Sequence, residues 1–140
     1  MRAVDVAAFC AVAEGFAAGL RPGDVVALEG ELGAGKTTFV AAAVGALHGH
    51  EEASSPTFTI RQTYAGTPPV EHLDLYRIDD PSEAVELGLE DALRPEAITF
   101  VEWPGRLPGL VPASALVVRI AGCGDEPREL EIRRPEPRHF

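Results

Sequence analysis

Apolar residues recur at helical spacing near the N-terminus: Val6, Phe9, Cys10, Ala13 and Phe16 or Ala17 share one face, and Asp5 stands where a cap belongs. The pattern predicts a helix from Asp5 to about Ala18, closed by Gly19, with a turn at Arg21-Pro22-Gly23-Asp24. Val25 to Leu28 is a short continuous apolar run, read as a buried strand, and the Ala-rich stretch Thr38 to Leu47 as a helix. A strand is expected from Pro56-Thr57-Phe58-Thr59-Ile60 to about Tyr64, and another from Val70 to Tyr76. Only Ala65 to Pro69 joins them, which demands an antiparallel hairpin, because a parallel pair needs a long crossover.

Asp80-Pro81-Ser82-Glu83 starts a short helix, Ala84 to about Leu87, ended by Gly88, and a second acidic turn runs from Glu90 to Leu93. Ile98-Thr99-Phe100-Val101-Glu102-Trp103 is an apolar strand with a carboxylate near its end, followed by a Pro- and Gly-rich loop to Pro112. Ala115 to Ala121 and Glu129 to Arg133 alternate apolar and polar positions, as a terminal hairpin at a sheet edge would. Strands interleaved with helices make the fold class α/β.

Composition narrows this picture. A chain of 140 residues with 46% hydrophobic content has the size of one domain, residues 1–140, and is too apolar for disorder. Apolar runs fall well short of the ~20 residues of a membrane helix, and Asp5 and Glu14 interrupt any signal-peptide pattern. Cys10 and Cys123 are too far apart in sequence for a zinc motif and read as reduced packing residues of a cytoplasmic protein. The net charge of −10 repels a polyanion, so direct tight binding of RNA or DNA is disfavoured while a basic protein partner is not. Arg128, Arg133, Arg134 and Arg138 are the one local basic cluster; they suit either a contact to a nucleic acid presented by a partner or a solvated edge strand balancing Glu129, Glu131 and Glu136.

The chemistry lies between the first strand and its helix. Gly30-Glu31-Leu32-Gly33-Ala34-Gly35-Lys36-Thr37-Thr38 fits GxxxxGK[ST], the phosphate-binding loop of nucleoside triphosphatases. Its glycines let backbone N–H groups curl around phosphates, Lys36 places an ammonium against the β/γ oxygens, and Thr37 offers a hydroxyl to Mg²⁺. Lys36 is the only lysine, the other eleven of twelve basic residues being arginine, and a point-charge ammonium is what such a cradle requires.

Hydrolysis also needs Mg²⁺ ligands and a positioned water. Glu102 closes its apolar strand, the usual place for an acid attending Mg²⁺; Asp74 shares a strand face with His72 and Tyr76. Each acid alone also suits a structural cap or a partner of Arg77, but beside a P-loop at least one should serve the metal. Thr57 lies either in a plain turn or in a switch loop ordered by phosphate and Mg²⁺. Trp103 either packs in the core or stacks on a base. His48-Gly49-His50 reads as a polar helix end, since no third metal ligand accompanies it.

Gly30 to Thr38, Ser55-Pro56-Thr57-Phe58, His72-Leu73-Asp74-Leu75-Tyr76-Arg77, Glu86-Leu87-Gly88-Leu89-Glu90-Asp91 and Glu102-Trp103-Pro104 together resemble the TsaE family in order and spacing. The resemblance implies a P-loop NTPase-like three-layer domain whose mixed central sheet carries the hairpin from Phe58 to Tyr76. It implies an Mg²⁺-dependent ATPase, monomeric alone, that acts with TsaB and TsaD in forming N6-threonylcarbamoyladenosine at position 37 of tRNA and meets tRNA only through that complex. By position, Gly30, Glu31, Leu32, Gly33, Ala34, Gly35, Lys36, Thr37 and Thr38 would bind ATP phosphates; Thr57 belongs to the first switch and Trp103 lies near the nucleotide. Lys36, Asp74 and Glu102 would be catalytic, with Thr37 and Glu102 attending Mg²⁺ and Asp74 supporting either metal or water. Two positions depart from the family: Pro104-Gly105 replaces the end of an EWxE signature, and the N-terminal helix lacks a common Thr.

A small-molecule kinase is the alternative enzyme class, but no Arg-rich lid insertion follows the second acid. A GTP switch is excluded on composition, because an Asn-Lys-x-Asp base-reading motif needs a second lysine.

Overall fold

The structure, a computed structural model, describes residues 1–49 and 60–135. Its elements in chain order are β1 (Arg2–Ala3), α1 (Val6–Ala17), β2 (Val25–Gly30), α2 (Lys36–His48), β3 (Arg61–Tyr64), β4 (Val70–Asp74), α3 (Ser82–Glu86), β5 (Ile98–Glu102), β6 (Leu116–Ala121) and β7 (Arg128–Arg133). All seven strands form one sheet in the order β1-β7-β6-β2-β5-β4-β3. Strands β6, β2, β5 and β4 run parallel, while β3, β7 and β1 are antiparallel additions. The mixed sheet with an antiparallel β3–β4 hairpin is therefore as expected, although β4 ends at Asp74 rather than Tyr76 and Phe58 lies outside the described residues.

α1 and α2 cover one face. Asp5 caps α1 by accepting from the Ala8 N–H at 2.8 Å. The buried positions of α2, namely Lys36, Phe39, Val40, Ala43 and Val44, repeat at helical spacing. Phe39 meets Phe9 edge-on and Phe16 at a tilt, over Val26, Leu28 and Phe100 of the sheet. On the other face Leu73, Val101 and Val25 pack under α3, the 3₁₀ turn Leu89–Ala92 and Leu107 of the following loop. Helices, sheet and this thinner cover make the three layers.

Three details differ from the sequence reading. β1 was not foreseen: it has two residues, and its pairing with Glu129 and Arg128 could not be read from so short a pattern. The terminal hairpin is not wholly at the edge, since β6 lies against β2 inside the sheet and β1 covers part of β7. Gly19 is not the left-handed residue after α1; that conformation falls at Gly23, within the turn. Among the described residues no helix is long and apolar enough to cross a membrane.

The hairpin is fastened by a buried carboxylate. Glu71 on β4, 1% exposed, receives Arg61 Nη2 at 3.0 Å and Arg94 Nη2 at 3.1 Å, and the Thr63 hydroxyl donates to its other oxygen at 2.8 Å. Removing the acid strands Arg61 and leaves Arg94 to Glu96 alone; both cations are about one-third exposed, so solvent softens the cost. Glu71→Ala should destabilise the protein by about 2 kcal/mol, lowering the melting temperature by roughly 5–10 °C. An unchanged denaturation midpoint would show that the cluster contributes nothing net.

Candidate functional site

The site is built where the parallel strands end. β2 delivers the chain to Gly30, where a Cβ would lie 2.6 Å from the Ile120 carbonyl, so only glycine lets β2 leave the sheet beside β6. The loop closes on an Ala34 N–H to Glu31 O bond of 3.1 Å and ends at Gly35, whose φ of 105° is left-handed. α2 begins there without a side-chain cap, leaving first-turn N–H groups for an anion at the positive end of the helix dipole. The Leu32 side chain is 68% exposed, so its part in the loop is that of its backbone.

Lys36 is buried at the mouth of this loop. Its Nζ donates to the carbonyls of Gly30 at 2.6 Å and Glu31 at 2.9 Å and lies 4.1 Å from the centre of the Trp103 ring. Burial pushes the ammonium's pKa below that of an ordinary lysine, while Glu102, Asp74 and Glu31 pull it back up.

Register supplies the acids. Across β5, Glu102 pairs with Asp74 of β4 on one side and Leu28 of β2 on the other, so both carboxylates reach the edge from which the P-loop springs. The Thr37 hydroxyl donates to Glu102 Oε2 at 2.9 Å, and His72 Nε2 lies 2.5 Å from the same oxygen. Asp74 Oδ1 accepts the Tyr76 N–H at 3.1 Å. Burial, then the Glu102 charge, hold the Asp74 carboxyl above its ordinary range, against the opposing pull of the Tyr76 N–H, His72 and Lys36. Lys36, Thr37, Asp74 and Glu102 are thus brought together. A hydroxyl with two carboxylates is an all-oxygen set suited to a hard cation such as Mg²⁺.

Trp103 takes a left-handed backbone with φ of 59°, unusual for a bulky residue and of a kind that concentrates at functional sites. Its ring packs on Tyr76 at 5.0 Å between centroids, and the Arg106 guanidinium lies over that tyrosine. It is neither core nor free surface; it roofs Lys36.

The sequence reading missed His72 as a site residue, although its alternation with Asp74 on one strand face was the available signal. It also left open the fate of Arg128. That side chain turns inward, giving Nε to the Ala34 carbonyl at 3.0 Å, while Arg133 pairs with Glu131 at 3.0 Å. The basic cluster is therefore divided, with Arg138 outside the described residues. Ser55 to Phe58, including Thr57, also lies outside them, as does His50; His48 ends α2 with Nε2 2.8 Å from the Pro68 carbonyl of the hairpin turn.

Beside the loop opens a cavity of about 300 Å³, walled by Val4, Val6, Phe9, Thr38, Asp125 and Arg128 among others. Its lining is mostly apolar, and its volume is that of a small-ligand pocket.

Residues 4–130 match the TsaE family, described as threonylcarbamoyl adenosine biosynthesis protein TsaE. The tRNA threonylcarbamoyladenosine biosynthesis protein TsaE of Bacillus subtilis is 40% identical over 121 residues, spanning 86% of this chain and 75% of that protein. The protein of the same name from Rickettsia bellii is 40% identical over 123 residues, spanning 86% and 84%. The crystal structure of Bacillus subtilis YdiB superposes with a TM-score of 0.79 at 33% identity, over 97% of this chain and 84% of that one.

Asp74 generates a test of the site's electrostatics. A carboxyl whose pKa is higher folded than unfolded binds its proton more tightly in the native state, so stability falls as pH rises from the unfolded toward the folded pKa. Asp74→Asn should therefore raise the melting temperature of the nucleotide-free protein at pH 7. That gain should vanish below the ordinary aspartate range, where the proton is bound in both states. A lower melting temperature for the variant at pH 7 would contradict this electrostatic reading.

Proposed function

This chain belongs to the TsaE family, and from that premise we propose that it is an Mg²⁺-dependent ATPase serving formation of N6-threonylcarbamoyladenosine in tRNA, in company with TsaB and TsaD. The observation that carries the ATPase reading is the junction of Thr37 with Glu102, 2.9 Å apart, beside a buried Lys36 at the foot of an uncapped helix. Phosphate oxygens would compete with the Gly30 and Glu31 carbonyls for the Lys36 protons, drawing the ammonium to the β/γ position. The amides of the loop from Gly30 to Thr38 would cradle the same phosphates.

Thr37 would hold Mg²⁺ through its hydroxyl, with Glu102 and Asp74 behind it, and the ion would supply charge neutralisation on the phosphates. His72 holds Glu102 in place for that task. Trp103 would close over the phosphate end, while the apolar cavity at Phe9 and Val6 would take the base. The family's role in tRNA modification extends to this chain through the match over residues 4–130. A net charge of −10, with Arg128 and Arg133 already engaged, favours reaching tRNA through protein partners rather than by direct grip.

Two measurements test this. Lys36→Ala should retain its fold yet lose ATP turnover by ~10²-fold or more, because that ammonium meets charge developing on the transferred phosphoryl. A folded variant keeping more than about a tenth of wild-type turnover would exclude the assignment. Turnover of the isolated chain should be slow and should rise when TsaB and TsaD are added; equal rates would leave it a self-sufficient ATPase.

A further inference from the structure

The P-loop is held from behind by a residue that no phosphate would touch. Arg128, at the start of β7, gives Nε to the Ala34 carbonyl at 3.0 Å and Nη2 to the Gly33 carbonyl at 3.3 Å. The same guanidinium donates to the Gly124 carbonyl at 3.2 Å and, through Nη1, to the Glu126 carbonyl in the β6–β7 turn. One planar fork thus joins two P-loop carbonyls to the turn that walls the cavity.

Peptide geometry gives this contact a consequence. A trans peptide is planar, with its C=O and N–H on opposite sides, so fixing the Ala34 carbonyl outward fixes the Gly35 N–H on the concave side. The preceding unit is held at both ends, since the Gly33 carbonyl meets Arg128 while the Ala34 N–H donates to the Glu31 carbonyl. These units need holding: Gly33 and Gly35 both have positive φ, and glycine imposes little resistance to turning a peptide plane over. A plane turned over would aim a carbonyl, not an N–H, at the phosphates.

We propose that Arg128 is a positioning residue for phosphate binding, holding the Gly33 and Ala34 carbonyls outward so that the Gly35 amide stays aimed into the cradle. This rests on the nucleotide reading above. It separates Arg128 from a mere fastener of the terminal hairpin, because the consequence falls on the phosphates more than on the base.

The test compares wild-type, Arg128→Ala and Arg128→Lys proteins, with dissociation constants for ATP and ADP from calorimetry and for adenosine from NMR titration. In Arg128→Ala, ATP and ADP should each bind about tenfold more weakly or worse, with a clearly smaller loss for adenosine, whose cavity Arg128 also walls. KM for ATP should rise by a larger factor than kcat falls. Arg128→Lys, which keeps the charge but not the fork, should recover part of the ATP affinity; if Arg128→Ala fails to fold, Arg128→Lys carries the comparison, with a loss for ATP of about threefold or more and a smaller one for adenosine. Folded variants that bind ATP as wild type does would overturn the proposal, and so would an equal loss for adenosine, which would make Arg128 a support of the cavity wall. A wild-type protein that binds no ATP would instead overturn the nucleotide reading itself.

Discussion

A loop that turns its N–H groups inward around an anion must turn its carbonyls elsewhere, and those carbonyls need partners. In this protein they are found from two directions. Lys36 Nζ takes the carbonyls of Gly30 and Glu31, and Arg128 takes those of Gly33 and Ala34. One cation comes from α2, which follows the loop directly, and the other from β7, two strands away from β2 in the sheet. The loop's shape therefore depends on the packing of α2 on the sheet, through Phe39 and Val40, and on the β6–β7 pairing that brings Arg128 round.

The parallel strands complete the arrangement. β2, β5 and β4 lie in register, so Gly30, Glu102 and Asp74 reach one edge of the sheet together, where ligands of open α/β sheets bind. The β3–β4 hairpin adds His72 to that edge and is itself pinned on the opposite strand face by Glu71 between Arg61 and Arg94. Stability and chemistry are divided between the two faces of one strand: Glu71 is neutralised by two arginines, whereas Asp74 bears its burial with less relief and has a raised pKa. The strained backbone of Trp103 belongs with Asp74, as conformational cost located where the ligand chemistry is proposed.

Much of this was legible in sequence because the determinants are local. The Gly30 to Thr38 motif between an apolar run and an Ala-rich helix fits the pattern of a phosphate loop, and the short Ala65–Pro69 connection compels an antiparallel hairpin. Glu102 at the end of its strand and Asp74 in alternation were both named from sequence, and the structure sets them opposite one another on β5 and β4. What escaped depends on long-range pairing. His72 matters because β4 lies beside β5, which brings it to Glu102; alternation with Asp74 places it on the right strand face but does not name that partner. Arg128 read as one of several surface arginines because its partners lie more than ninety positions earlier, at Gly33 and Ala34. The two-residue β1 has no periodicity to read at all.

The central claim is that Gly30 to Thr38 forms a phosphate cradle roofed by Trp103 and backed by Glu102. Backbone amide NMR during titration with Mg-ATP addresses it most directly. The account requires the largest shifts at the amides of Gly33, Gly35, Lys36 and Thr37 and at the Trp103 indole, with smaller ones at Val6 and Phe9 along the cavity. Shifts centred away from this loop, or none at millimolar nucleotide, would contradict it.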